Sequence, residues 1–127
     1  MRAIFSVSVA AMWFLISAPT LAHHSFNAEF DVNRPVKLTG TVTRVEWTNP
    51  HAWIFIDTKD VDGITQSWAI ELLGINTLFR RGFTRDRLNA GATIDVEGFG
   101  ARDDSNTANA SSITMTNTGQ PLWESAD

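Results

Sequence analysis

Alternation of apolar and polar residues is the feature that most constrains how this chain folds. Side chains in a β-strand point to opposite faces in turn, so alternation over several residues predicts a strand with one buried face. Between residues 64 and 72, Ile64, Trp68, Ile70 and Leu72 share one parity, and polar residues take most of the other. Turn-forming residues separate such segments. The pattern predicts five strands, over residues 36–47, 52–58, 64–72, 93–99 and 110–116.

The first predicted strand is long and changes parity within its length. Gly40 and Val42 share one parity, whereas Val45 and Trp47 take the other. A strand that moves its apolar side chains to the other parity needs an extra residue or a sharp bend. We therefore predict a β-bulge near residues 43–44.

One segment has helical spacing instead. Ile75, Leu78 and Phe79 lie three and four residues apart, which predicts a short helix between the third and fourth strands. The order β-β-β-α-β-β, with a long bent first strand, predicts a small five-stranded OB-like barrel. The alternative is an open five-stranded sheet covered by one helix. Residues 23–35 are expected to be a polar lead-in and 102–109 a polar loop, while Leu122 and Trp123 pack back onto the barrel.

The first 22 residues are expected to be a secretory signal peptide. Arg2 precedes an uncharged apolar run over residues 3–18, and Ala22 ends a small-residue cleavage pattern. The alternative, a retained membrane anchor, needs about 20 apolar residues, which is more than the run over residues 3–18 provides. Removal of 22 of the 127 residues leaves a single domain of 105 residues, 23–127, and loss of Arg2 changes the net charge from -4 to -5. We therefore expect a periplasmic or secreted protein with no membrane partner after cleavage.

Composition excludes several functional classes. The chain has no cysteine, so disulfides and thiolate metal sites are absent. Its ten basic and fourteen acidic residues argue against general nucleic-acid binding, which needs surplus positive charge. No serine-hydrolase elbow, His-Glu-x-x-His motif or phosphate-binding loop occurs. A non-enzymatic binding or accessory module is favoured over an enzyme.

Several motifs resemble an uncharacterised family of small exported bacterial proteins. The chain has the sequence HHSF at 23–26, LTGTV at 38–42, EWTNPHAW at 46–53, RRGFT at 80–84 and VEG at 96–98, with NTANA at 106–110. The resemblance covers nearly all of the chain after residue 22, and the segment 47–53 is its most specific part. It implies export and one small β domain, and it brings no agreed activity or catalytic residue.

The three histidines form the first candidate site. His23 and His24 are the first two residues of the expected exported chain, and His51 follows Asn49-Pro50. A terminal amine and the His23 ring can chelate one metal, with His51 as a third ligand. Alternatively the amine, a backbone amide and the His24 ring bind copper in a plane. Nitrogen ligands of this kind favour copper among common divalent metals.

The OB-like prediction brings two loops to the site. The first is 48–51 and the second is 102–107, and both are expected at one end of the barrel, beside the ligand face on the second and third strands. Asp103 and Asp104 on the second loop are candidates to add oxygen ligands or to orient a histidine. The competing interpretation is that the terminal histidines are incidental to signal-peptide cleavage and that His51 is a structural turn residue.

Two further constellations suggest a partner surface. Arg80, Arg81, Arg85 and Arg87 suit an acidic partner or an anionic head group, although a solvated helix face is the simpler interpretation. Trp53 and Phe55 lie opposite Ile54 and Ile56 on the second strand, so they are either exposed as ligand-stacking rings or covered by other aromatic residues. The alternative function is therefore a protein- or glycan-interaction domain of the cell envelope, with a partner surface made of Trp47, Asn49, Trp53, Arg80, Arg81, Asp103 and Asp104.

Overall fold

The computed structural model describes residues 25–125, and β-strands make up most of it. The expected signal peptide and both His23 and His24 lie outside the described residues. In chain order the elements are α1 (Phe26–Glu29), β1 (Phe30–Glu46), β2 (Trp53–Lys59), β3 (Thr65–Glu71), α2 (Ile75–Arg80), a 3-10 turn (Arg85–Arg87), β4 (Thr93–Ala101), β5 (Thr107–Met115) and β6 (Pro121–Glu124).

The strands form one ring-like sheet. Its order is β3-β2-β1-β4-β5-β6, and neighbours in that order are antiparallel. A parallel pairing then joins β3 to β5, with Ala69, Ile70 and Glu71 opposite Thr107, Ala108 and Asn109. The prediction of a mostly β fold with a short helix after the third strand is confirmed, and the alternative of an open sheet is wrong because of this additional pairing.

The predicted irregularity in the first strand is present. Val42 pairs with Ile56, but the next pair joins Arg44 to Phe55, so β1 has one extra residue there. Val42, which precedes the bulge in the chain, is buried, and Val45, which follows it, is half-buried. The bulge lets one strand keep apolar side chains inward while it pairs first with β4 and then with β2.

The interior of the ring contains the residues that alternation predicts. Ile54 and Ile56 on β2 and Ile70 on β3 are fully buried. They belong to a core that also includes Val42, Leu72, Leu78, Phe83, Leu88, Ile94, Val96 and Ile113. Ile64 is an exception, because it is 62% exposed in the β2–β3 turn, where its backbone N–H and C=O both bond to Asp60.

The structure has six strands where the sequence predicts five. The extra strand, β6, pairs with residues 112–114 of β5. Its Leu122 and Trp123 are buried against the core, as expected for a returning tail. A strand of four residues beginning with a proline is too short to show alternation, which explains why the pattern missed it.

Two segments expected to be irregular are partly regular. The predicted lead-in contains α1 and the start of β1, which runs through Pro35. The residues of β1 before Thr41 pair only with β4, so one edge is free and a proline without an N–H is tolerated there. The predicted loop 102–109 ends early because β5 begins at Thr107, where it pairs with β3, and its pairing with β4 begins at Ala108.

No helix within residues 25–125 is long and apolar enough to cross a membrane.

Candidate functional site

A groove of about 1440 Å³ lies on the outer side of the ring and is named here the outer groove. Strands β1 to β5 contribute to it, together with α1, the β1–β2 loop and the β4–β5 loop. The two loops that the sequence predicts at one end of the barrel therefore line the same groove. Its lining includes Phe26, Glu29, Glu46, His51, Trp53, Glu71, Phe99, Arg102, Asp103 and Asn109.

Strand register explains which side chains meet in the outer groove. Trp53 pairs with Glu71, Glu71 with Asn109, and Asn109 with Phe99. These four residues have the parity opposite to that of Ile54, Ile70 and Ala108, which face the core. The face opposite the apolar interior thus carries one carboxylate and one amide between two aromatic rings.

A hydrogen bond from its ring holds His51 at the edge of the groove. Its Nδ1 lies 2.8 Å from the carbonyl oxygen of Leu72 and 3.4 Å from Oε1 of Glu71. A carbonyl only accepts hydrogen bonds, so Nδ1 carries the proton and donates it. In the neutral ring this leaves Nε2 with a free lone pair, and no other described residue hydrogen bonds to Nε2. The side chain is 39% exposed, so the groove can reach it.

Glu71 is a buried carboxyl group, only 7% exposed. Asn109 Nδ2 donates a 3.0 Å hydrogen bond to its Oε1. Burial raises the pKa of Glu71, since it penalises the charged form, and nearby Glu29 adds to this rise. The His51 ring and the Asn109 hydrogen bond act in the opposite direction. Glu71 and His51 therefore form an interacting pair in which each orients the other.

The short helix α1 forms one wall of the outer groove. The Phe26 ring stacks on Phe30 at 5.6 Å and meets Phe99 edge-on at 5.9 Å between ring centroids. Arg102 fastens this wall to the β4–β5 loop, because its backbone N–H bonds to Glu29 O and its Nε donates to Asn27 O. The segment just after His24 is therefore fixed against the groove.

The two predicted aspartates have different environments. Asp103 lines the groove, and hydrogen bonds from Ser105 lower its pKa. Asp104 is mostly exposed, pairs with Arg34 at 2.7 Å and is not part of the groove lining. The Asp104 backbone has φ of 62°, which fits a tight turn in the β4–β5 loop.

The other predicted surface residues are divided between the groove and the rest of the fold. Trp53 lines the groove, whereas Trp47 packs on the core and meets Phe83 edge-on at 5.6 Å. Asn49 also lines the groove, and its Oδ1 accepts the backbone N–H of Ile75 at 3.1 Å and so holds the start of α2.

Three other residues that the sequence analysis considered, Phe55, Arg80 and Arg81, lie outside the groove lining. The Phe55 ring is covered by Arg44, at 3.9 Å to the ring centroid, instead of by another aromatic residue. Arg80 and Arg81 are exposed at the end of α2. Among residues 25–125, no three histidine, aspartate or glutamate side chains are grouped to hold a metal ion.

Sequence reasoning missed much of the groove, including Glu71, Asn109 and Phe26. Glu71 and Asn109 were expected among polar positions, in an outward face and a loop. The predicted lead-in, residues 23–35, includes Phe26. The signal available for Glu71 was its position directly after the buried Ile70 at the end of a strand, but the partner that buries it is 38 residues away. Only the parallel β3–β5 pairing brings the two together.

The fold and groove define a small, mostly β protein with a ring-like sheet and a ligand-sized cleft on its outside. The chain belongs to a family of unknown function, DUF6152, whose family model matches residues 12–110. A comparison with curated proteins finds no match.

Proposed function

We propose that this protein is an exported copper-binding module in which His51 and the residues at the start of the exported chain hold the metal. The fold that carries the site is proposed to be an OB-type barrel, whose ligand face and two flanking loops correspond to the outer groove. The observation that carries the proposal is the commitment of His51 Nδ1 to Leu72 O, because it leaves Nε2 as the ligand atom.

The environment of His51 resembles that of a metal-binding histidine. Such a ring donates its other N–H to a carbonyl or carboxylate, which fixes its tautomer and orientation. His51 has both kinds of group near Nδ1, the Leu72 carbonyl and the Glu71 carboxylate. Asn109 in turn holds Glu71. The arrangement therefore supports a pre-oriented nitrogen ligand.

The position of α1 supports His23 and His24 as the other ligands. Phe26 lines the same groove as His51, and His23 is three residues before it in the sequence. Three residues of chain span at most about 11 Å, so the proposal requires the metal to lie within about that distance of Phe26. A terminal amine and two imidazoles would then complete a nitrogen site for copper.

Copper titration of the exported chain tests the proposal. The chain is purified after export, mass spectrometry establishes whether it begins at His23, and Cu(II) affinity is measured by competition with a chelator. We expect the protein to bind Cu(II) more tightly than the peptide His-His-Ser-Phe. Equal affinities would show that the fold adds nothing and would overturn the proposal.

Two histidine substitutions distinguish the two possible geometries. If His51 is a ligand, His51→Ala reduces copper affinity to the level of the peptide, whereas His24→Ala has a small effect. If the planar terminal chelate operates, His51→Ala has a small effect and His24→Ala lowers copper affinity below that of the peptide. An extra alanine before His23 separates the amine from the ring of the first residue and so weakens the geometry that uses His51, whereas the planar chelate persists because Ala-His-His still offers an amine, backbone amides and an imidazole.

A second candidate is an interaction domain for an extended envelope ligand, a glycan or a peptide. The volume of the groove favours it, since about 300–1000 Å³ is enough for a drug-sized ligand and a metal ion needs far less. Trp53, Phe26 and Phe99 supply rings on which a sugar can stack. Soluble peptidoglycan fragments should change the tryptophan fluorescence of the protein, and Trp53→Ala should remove the change; no response in the unmodified protein would contradict this candidate.

A further inference from the structure

A second surface, distinct from the outer groove, lies where α2 ends. It is named here the arginine surface and consists of Phe79, Arg80, Arg81, Arg85 and Arg87. Three buried side chains fix this part of the chain to the core. They precede, interrupt and follow the residues of the arginine surface: Leu78, Phe83 and Leu88. The backbone beneath the arginine surface is therefore held firmly by the interior.

Positive charge is concentrated on the arginine surface. Residues 79–88 contain four of the ten basic residues of the chain and one of its fourteen acidic residues, Asp86. Within residues 25–125, none of these four arginines forms an ion pair with a carboxylate. The pKa of Asp86 is lowered mainly by hydrogen bonds from Thr84 and its own backbone, with Arg87 a smaller cause. A chain of net charge -4 thus has one distinctly cationic end.

Local hydrogen bonds hold three of the guanidinium groups in place. Arg80 Nη2 donates to Thr77 Oγ1 at 3.2 Å, Arg85 Nη1 to Leu88 O at 2.6 Å, and Arg87 Nη1 to Gly82 O at 2.8 Å. A guanidinium has five N–H donors, and its planar fork matches phosphate oxygens. Most of the donors therefore remain available to an anion.

Phe79 adds an apolar group to this cationic surface. Its ring is 69% exposed although it is a large hydrophobic residue directly beside Arg80. A soluble anion satisfies the arginines but offers nothing to the ring. An anionic bilayer offers both, with phosphates at its surface and hydrocarbon beneath them.

We propose that the arginine surface docks peripherally on an anionic phospholipid bilayer, with Phe79 inserted between head groups and the arginines bound to phosphates. Peripheral docking differs from the expectation of no membrane partner after cleavage, because that expectation considers only segments that span the membrane or anchor the chain in it. Docking here leaves the outer groove open, because its lining contains none of the five residues. The proposal is independent of copper binding.

Vesicle sedimentation tests the proposal. The chain purified after export is mixed with vesicles of equal parts phosphatidylglycerol and phosphatidylcholine, or of phosphatidylcholine alone, at low salt. We expect binding to the anionic vesicles only, weakened by added salt. Reversing two charges with Arg80→Glu and Arg81→Glu should lower the partition coefficient about tenfold or more, because each basic residue near such a surface contributes measurably.

Matched variants separate this surface from net charge and general stickiness. Arg81→Glu is compared with Lys59→Glu, which makes the same charge change in another part of the chain. Phe79→Ala is compared with Val61→Ala, since Val61 is fully exposed in the β2–β3 turn. Only the first member of each pair should weaken binding. The proposal would be overturned by equal losses of binding within either pair. It would also be overturned if the unmodified protein showed no preference for anionic vesicles, and an acidic protein would then be the partner to seek.

Discussion

Successive residues of one strand separate the two faces of this protein. Ile70 faces the interior and Glu71 faces the outer groove, and both are almost fully buried. The environment of Ile70 is entirely apolar packing, whereas that of Glu71 is a set of named polar contacts with His51 and Asn109. Burial alone therefore does not distinguish the core from the site. The difference lies in whether a side chain is satisfied by packing or by specific hydrogen bonds.

Truncation on the interior face should have the largest effect. We expect Ile70→Ala to lower the free energy of unfolding by about 2–5 kcal/mol, through lost burial and the cavity left behind. Urea denaturation followed by tryptophan fluorescence measures this. The control is Ile64→Ala, at an exposed position, which should change stability by less than about 0.5 kcal/mol. Similar losses in the two variants would contradict the assignment of faces.

Substitution of Gly98 in β4 should affect both stability and the groove face, because Gly98 lies against the backbone of Asn109. A Cβ on Gly98 would lie 2.1 Å from the backbone oxygen of Asn109, so β4 and β5 must separate to admit it. We expect Gly98→Ala to cost about 1–3 kcal/mol of stability, as overpacking usually does. Because Asn109 holds Glu71, the variant should also weaken copper binding. Gly100→Ala is the matched control, since its added Cβ meets nothing closer than 3.6 Å. A Gly98→Ala protein as stable as this control would show that the strands adjust freely.

Substitution on the groove face should have the smallest effect on stability. Glu71→Gln keeps the size of the side chain and an acceptor for Asn109, so we expect a change below about 1 kcal/mol. Copper affinity should nevertheless fall about tenfold, as is usual when the group behind a metal-binding histidine is altered. Parallel denaturation and copper titrations measure the two effects. A large loss of stability with unchanged copper affinity would make Glu71 a structural residue only.

The same distinction explains how far the sequence alone could lead. Alternation predicts Ile54, Ile56 and Ile70 as interior residues because apolar packing leaves a periodic pattern. The parity change in β1 likewise predicts the bulge that follows Val42. These features depend on residues close together in the chain.

The site could be predicted only in part. His51 and Trp53 were found because histidine and tryptophan have distinctive chemistry at any position. Glu71 and Asn109 were not, since polar residues on alternate positions look like a solvated face. Their contact depends on a pairing between strands far apart in the sequence.

The parallel pairing of β3 with β5 also has a kinetic consequence. It joins residues 69–71 to 107–109, so the intervening chain must be ordered before this pairing is favourable. It has only three residue pairs, as few as the β5–β6 pairing, and amide hydrogen exchange should be faster there than in the centre of β2. The Glu71–Asn109 hydrogen bond lies across this seam. We therefore expect the ring to close last during folding, and the orientation of His51 to be completed in that same step.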